Sequence, residues 1–270
     1  MKDGHRLKKM VLPRDSRDFV LSMEDVTDIN PYLSQYRICY ENPNEKRHSK
    51  EPYIPLIMYR IKQKKIYGDE FCKGELSRIA KTLNDQNRRL AGYFPEFKEY
   101  MFSPYDKMII GESGSVYFNV QPLRLHPLYG LPFIPASTIK GTLRGTWIME
   151  EGGTSEEFEK LFGSMEGKLE NQRGKLVFFD CFPEQFSVGL DVQTPHYKNY
   201  YESGNSEPTD DQNPIPIQFV CLRDAKFNIR IACQDSGLWK NSRKKVDKMV
   251  DVMYRQFGIG AKSALGYGIT

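Results

Sequence analysis

The residues of this chain best suited to chemistry on an anion are glycines and cations near its end. Four glycines, a lysine and a tyrosine fall within the eleven-residue stretch Gly258–Gly268. Glycine admits positive φ and close approach of a ligand to the backbone, and successive N–H groups in such turns form concavities for phosphate. The alternative is a helix cap and a tight turn, which would need one or two glycines. We predict a polyanion site made of Gly258, Gly260, Lys262, Ser263, Gly266, Tyr267 and Gly268.

A second candidate site lies in the middle of the chain, where two cations stand four residues apart. Lys140 and Arg144 would share one face of a helix, which we predict from a cap at Ser137 or Thr138 to about Met149. The free N–H groups and the dipole of a helix start already favour anions. Lys140 and Arg144 therefore add positive charge to a helix start that already attracts anions.

A glycine inside this predicted helix adds to the case. Gly141 costs the helix about 1 kcal/mol relative to alanine, which indicates that something packs or binds closely against that turn. The predicted site on this helix consists of Ser137, Thr138, Lys140, Gly141 and Arg144.

Two nucleotide-binding motifs are excluded at the glycine-rich stretch. A Walker A loop needs glycine directly before the lysine and again five residues earlier, but Ala261 and Gln256 occupy these positions. A dinucleotide fingerprint follows a strand and opens a helix, whereas Gly258 and Gly260 follow a predicted helix. A nucleoside triphosphatase is therefore disfavoured.

Composition narrows the class of protein. The 270 residues include 39% hydrophobic and 27% charged residues, which is typical of a water-soluble protein with a real core. No apolar run is long enough for a membrane span and no signal core follows the N-terminus, so we expect a cytoplasmic protein. Five scattered cysteines and four scattered histidines indicate neither a disulfide framework nor a metal site. We expect no cofactor.

The charges are segregated along the chain. Lysine and arginine outnumber acids in residues 60–92 and 240–262, whereas residues 199–214 contain acids and no base. Such segregation indicates a positive surface, for which nucleic acid is the commonest partner, although solvated helices also carry lysines.

Periodicity predicts the elements that must position these residues. Helices are expected over 73–90 and 155–162, and the spacing of Val246, Met249, Val250, Met253 and Phe257 predicts a last helix. Strands are expected over 108–111, 173–180 and 186–192. A hairpin is expected from residues 215–222 and 225–232, turning at Arg223-Asp224, and a final strand over 265–270.

This order predicts an α+β fold, the ferredoxin-like split βαβ arrangement, with an antiparallel sheet and both main helices on one face. We expect residues 107–270 to form this domain, with a long insertion near 194–214. Residues 1–106 would form an N-terminal extension, partly helical, packed on or beside the core.

The motifs in residues 107–270 resemble a known family. The segment Pro132–Arg144 resembles the N-terminal motif of RAMP proteins, the repeat-associated RNA-binding subunits of CRISPR systems, and Gly258–Gly268 resembles their glycine-rich signature. Residues 191–197, Tyr200-Tyr201 and 213–219 are similar to the family of sixth subunits of type III-B Cmr effector complexes. Ala136 departs from the usual glycine, and the match ends just past Gly268, which leaves the last strand short.

The resemblance implies an RNA-recognition-like ferredoxin fold and a structural, non-catalytic role in a ribonucleoprotein. It implies that the chain lies near the 3′ end of a guide CRISPR RNA, contacts target RNA, and neighbours the backbone and small Cmr subunits. No membrane partner is implied. Phosphate contacts suit this role because they supply affinity without reading sequence.

Two other functions remain open from the sequence. Some RAMP relatives are metal-independent endoribonucleases that process guide RNA, and acid–base cleavage needs a positioned side chain near the 2′-hydroxyl. His196 with Tyr197 is the best candidate pair, which could equally contact RNA or another subunit, and His126 is the next. Asp180 and Asp191 lack adjacent ligands for a metal-assisted reaction. The third function is that of a protein-interaction subunit, and the acidic 199–214 segment would suit docking on a basic neighbour.

Overall fold

The computed structural model describes residues 39–41, 53–55, 75–111, 123–153, 155–164, 173–194 and 217–270. The predicted contact residues His196 and Tyr197, and the acidic 199–214 segment, lie outside these ranges. A two-stranded sheet joins β1 (Cys39–Glu41) and β2 (Tyr53–Pro55). The remaining elements form one antiparallel sheet and the helices packed on it.

A single long strand organises the main sheet, and every other strand of that sheet pairs with it. This strand is β7 (Ile217–Cys233), and its partners along one side are β3 (Glu96–Phe102) and β4 (Lys107–Met108). Along the other side lie β5 (Leu176–Phe178) and β6 (Pro183–Gln193). All these pairings are antiparallel, which confirms the predicted α+β class and antiparallel sheet.

The predicted hairpin over residues 215–232 is wrong, because the chain continues straight through its supposed turn. Asp224 has φ +50, and the register with β6 shifts between Gln185 and Ser187, as in a β-bulge. Before the bulge, Val220 and Leu222 face the core, and after it Ala225 and Phe227 do. The polar pair Arg223-Asp224 therefore marks an extra residue in one strand, and the bulge restores the inward alternation.

Two helices cover one face of the sheet. They are α2 (Ala136–Glu151) and α4 (Ser236–Val252), which contact each other and share a core with strand β7 through Leu143, Trp147, Val246 and Met249. The short helix α3 (Glu156–Phe162) is capped by Ser155, whose side chain accepts a hydrogen bond from the Phe158 amide. These positions agree with the predicted helices and with their placement on one face.

Helix α1 (Glu75–Ala91) lies on the opposite side of the sheet. Arg230, only 5% exposed, alternates with the core-facing Ile229 and Ile231 and donates to Glu99 on β3 and to Asn84 on α1. Helix α1 and strand β3 fall within the predicted N-terminal extension, but both pack on the sheet, and β3 is one of its strands. Residues 75–102 therefore belong physically to the same core as residues 107–270.

Helical structure continues beyond the end of α4. A π-helical turn, Met253–Phe257, follows directly, and then a 3₁₀ turn at Ser263–Leu265. The predicted final strand over 265–270 is wrong, since Leu265 ends the 3₁₀ turn and the residues after it form turns and single hydrogen bonds, such as that from the Gly268 amide to the Lys107 carbonyl.

Candidate functional site

The glycine-rich stretch folds back on its own chain. An added Cβ would lie 2.2 Å from the Ile109 carbonyl oxygen at Gly260, where φ is +113, and 2.1 Å from the Ile259 oxygen at Gly268, where φ is +67. Only glycine fits both the space and the dihedral angle at these positions. Close packing of the chain against itself therefore accounts for these glycines.

The backbone amides of this stretch are also largely used within the chain. The amides of Gly258, Gly266 and Gly268 donate to the carbonyl oxygens of Met253, Ser263 and Lys107, respectively, at 2.7–2.9 Å. Those of Ile259 and Ala261 donate to Gly268 and Ile109. The predicted concavity of free N–H groups is therefore not formed by these five amides.

The two functional side chains of the stretch are held by the end of strand β6. The Tyr267 hydroxyl donates to Asp191 at 2.6 Å, and the Lys262 ammonium donates to Gln193 at 2.6 Å. Lys262 also lies 5.9 Å from the centre of the Phe219 ring and has a left-handed backbone, with φ +59. Both side chains fasten the C-terminal stretch to the sheet face that points away from α2 and α4.

Asp191 is the centre of this anchor, and the sequence did not identify it as such. Its carboxylate accepts from Tyr267 and from the Lys107 ammonium, the latter at 3.0 Å. Partial burial acts to raise the Asp191 pKa, but the hydrogen bonds from Tyr267 and Lys107 outweigh it and lower the pKa below its ordinary value. Partial burial and the hydrogen bond to Asp191 raise the pKa of Tyr267 in turn. The pair therefore persists as carboxylate and phenol around neutral pH.

The start of helix α2 has a different character. The helix begins one residue before the predicted caps, with Pro135 at the cap position and no side-chain capping bond, so the predicted caps at Ser137 and Thr138 are wrong. Proline fixes an extended entry, with ψ at 143, and Ser137 and Thr138 then fall inside the first turn. The Ala136 amide is satisfied from elsewhere, by the Asp180 carboxylate at 2.8 Å.

Lys140 and Gly141 lie on an open flank of this helix. Within the described residues, the Lys140 ammonium makes no hydrogen bond or ion pair, and Gly141 and Ser137 are exposed. A Cβ added to Gly141 would meet nothing within 4 Å, so packing within the described part of the chain gives no reason for this glycine. Arg144, by contrast, lies 5.6 Å from the ring centre of the buried Phe158.

A cleft of about 230 Å³ joins the two predicted sites. Thr138 of the helix start and Gly260 and Ala261 of the glycine stretch line it, above a floor of Met108 and Ile134. Thr138 and Gly260 are separated by 122 positions in the sequence, yet the two sites are neighbours in space. What they share is an apolar cleft edged by a hydroxyl and bare backbone.

The remaining candidates for chemistry are structural where they are described. The His126 Nδ1 accepts from the amides of Leu128 and Tyr129, and the ring stacks on that of Tyr129 at 4.7 Å. Burial raises the pKa of the Cys181 thiol to about 12, so this group is inert as a nucleophile. No cluster of three or more His, Cys, Asp or Glu suited to a metal occurs in the described ranges.

Comparisons with known proteins agree with the sequence motifs. A Cmr subunit Cmr6 from Saccharolobus solfataricus is 29% identical over 266 residues, covering 88% of this chain and 87% of the relative. A Cmr subunit Cmr6 from Pyrococcus furiosus is 26% identical over 227 residues, covering 62% of this chain. This chain spans 65% of the length of the Pyrococcus relative.

A solved structure supports the fold. One chain of a type III-B Cmr-beta complex bound to cognate target RNA, determined by cryo-electron microscopy, superposes with a TM-score of 0.57 at 22% identity. The superposition covers 84% of this chain and 82% of the other. No helix in the described part of the chain has the length and apolar character that crossing a bilayer requires. Residues 107–270, more than half of the sequence, match the family model of the RAMP superfamily, and the chain therefore belongs to that superfamily.

Proposed function

We propose that this chain is a non-catalytic structural subunit of a type III-B CRISPR ribonucleoprotein, where it binds the guide RNA near its 3′ end. The names of its relatives support the assembly, since both are Cmr6 subunits of Cmr complexes. In this role its partners are the guide RNA, the target RNA, and the backbone and small Cmr subunits.

One observation carries the RNA-binding part of the proposal. Near the start of α2, Lys140 stands beside the exposed Gly141 and makes no hydrogen bond or ion pair with the described residues. In the same turn, Thr138 lines the cleft that the helix shares with the glycine stretch. A lysine of this kind binds a phosphate as a point charge. Contacts to phosphate carry no sequence information, which suits a subunit that must hold guides of any sequence.

The absence of catalysis is a separate part of the proposal. RNA cleavage by acid–base chemistry needs a side chain free to take the 2′-hydroxyl proton, and the Nδ1 of His126 is occupied by two amides. The endoribonuclease alternative then rests on His196 and Tyr197, which lie outside the described ranges. Incubation of purified protein with repeat RNA and target RNA should leave both intact. A product that disappears in His196→Ala would reverse this part of the proposal.

Co-purification from the native host tests the assembly. The tagged full chain should retain Cmr subunits, identified by mass spectrometry, and CRISPR guide RNAs, identified by sequencing. Lys140→Ala should retain the same proteins with less guide after a salt wash, whereas Lys81→Ala on the opposite side of the sheet should match the wild type. Recovery of the proteins without RNA would contradict guide binding and favour a purely protein-binding subunit.

A further inference from the structure

An acidic side chain occupies the place at the start of α2 where an anion would bind. Asp180 accepts a hydrogen bond from the Ala136 amide through Oδ1 at 2.8 Å. Further along the first turn, the amides of Thr138 and Ile139 donate to the Pro135 carbonyl. Three of the first-turn amides are therefore already used, and a fixed negative charge stands at the tip of the helix.

Asp180 is held in this place from two sides. Its carbonyl oxygen accepts from the Asn87 side chain of α1 at 2.7 Å. Its neighbour Cys181 exchanges two backbone hydrogen bonds with Ile134, each of 2.9 Å. The carboxylate is thus set against the helix by strand-like pairing and by α1, and it does not depend on the conformation of a loose loop.

The negative charge has a consequence for RNA on this helix. A phosphate on the helix axis would meet the exposed Asp180 carboxylate, and like charges at such short range repel. A phosphate on the flank would meet Lys140 and the open surface over Gly141. The charges of Asp180 and Lys140 therefore favour the path of the RNA along the flank over a path across the helix tip. The helix dipole alone would favour the tip.

We infer that Asp180 is a positioning residue for RNA. Its carboxylate excludes the RNA backbone from the tip of α2 and confines that backbone to the Lys140 flank. The inference rests on the proposed function, because it presupposes that RNA binds near this helix. Asp180 would act on the RNA through repulsion, and this repulsion would set the path of the RNA backbone. Phosphate is then held by the side chain of Lys140 and not by the axial amides of α2.

The substitution Asp180→Asn tests this directly, because asparagine retains the oxygen that accepts from Ala136 while it removes the charge. Binding of a fluorescein-labelled, mixed-sequence 20-nucleotide single-stranded RNA to the purified full chain is measured by anisotropy across a salt series. We expect Asp180→Asn to bind two- to fivefold more tightly, roughly the change of one surface charge contact. The slope of log K against log salt should steepen by about 0.7, the value for one added phosphate on a single strand.

Asp85→Asn is the matched control, because it changes the net charge equally at an exposed position on α1. An equal gain in both variants would show a general effect of charge and overturn the inference, as would an unchanged affinity and slope in Asp180→Asn. Weaker binding by Asp180→Asn with an unchanged Tm would show that Asp180 supports RNA binding. If the wild type itself binds no RNA, the proposed function fails together with the inference.

Discussion

The glycine stretch and the start of helix α2 looked alike in sequence, yet they use their residues differently. In the glycine stretch, Gly260 and Gly268 fit against carbonyl oxygens of the chain itself, and Lys262 and Tyr267 hold the end of strand β6. On the flank of α2, Lys140 makes no hydrogen bond or ion pair with the described residues, and a Cβ added at Gly141 would meet nothing within 4 Å. Glycine and lysine together thus mark a binding surface only where internal packing does not already account for them.

Alanine at the glycines should separate the two regions most strongly. Gly260→Ala and Gly268→Ala each place a Cβ about 2 Å from a backbone oxygen at positive φ. We expect each to lower the free energy of unfolding by about 2–4 kcal/mol. Gly141→Ala, with open space and a helical backbone, should raise it by about 1 kcal/mol.

Urea denaturation of the three variants measures these changes. If Gly260→Ala and Gly268→Ala unfold like the wild type, tight packing does not account for these glycines, and the contrast between the two regions is contradicted. Strong destabilisation by Gly141→Ala would also contradict the contrast, since it would mean that the flank of α2 is packed.

Removal of the charge at Asp191 should have the next largest effect. Asp191→Asn weakens charge-assisted bonds from Tyr267 and Lys107 at a partly exposed site, so we expect a loss of about 1–2 kcal/mol at pH 7. The folded pKa of Asp191 is lowered, so this contribution is fully present above its unfolded value near 3.9 and is lost as pH falls through the folded pKa.

Thermal unfolding of wild type and Asp191→Asn between pH 3 and pH 7 provides the measurement, in the range where both remain folded. The two Tm values should differ most from pH 5 to 7, and their difference should shrink as the pH falls below about 4. A constant difference down to pH 3 would mean that the Asp191 charge does not hold the glycine stretch.

The smallest effect is expected at Tyr267, which the sequence placed in the RNA site. Tyr267→Phe removes one hydroxyl bond to Asp191 but keeps the ring against Phe219, 5.9 Å between centroids. The expected cost is about 1 kcal/mol in denaturation experiments, with unchanged affinity for RNA. A loss of RNA affinity without a loss of stability would instead make Tyr267 a direct contact.

The sequence was sufficient for the helices because their apolar periodicity is strong. Val246, Met249 and Val250 face the core as their spacing predicts, and helix α2 begins within two residues of its predicted cap. Strand β7 was misread because the polar pair Arg223-Asp224 is compatible with both a turn and a bulge. Only the pairing of β7 with strands on both its sides distinguishes the two.

The candidate site was predictable in its residue types but not in their use. Asp180 reaches the Ala136 amide across 44 positions, and Asp191 reaches Tyr267 across 76, so no local spacing predicts either contact. The close approach at Gly260 likewise depends on Ile109, which is far away in sequence. The glycine stretch and the start of α2 share a cleft although 122 positions separate Gly260 from Thr138.

The central claim is that the flank of α2, and not the glycine stretch, supplies the lysine that binds RNA phosphate. The direct measurement is the salt dependence of single-stranded RNA affinity for the wild type, Lys140→Ala, Lys262→Ala and the control Lys81→Ala. We predict that Lys140→Ala alone makes the slope shallower, by about 0.7 for one lost phosphate contact. A shallower slope in Lys262→Ala, with Lys140→Ala unchanged, would contradict the claim.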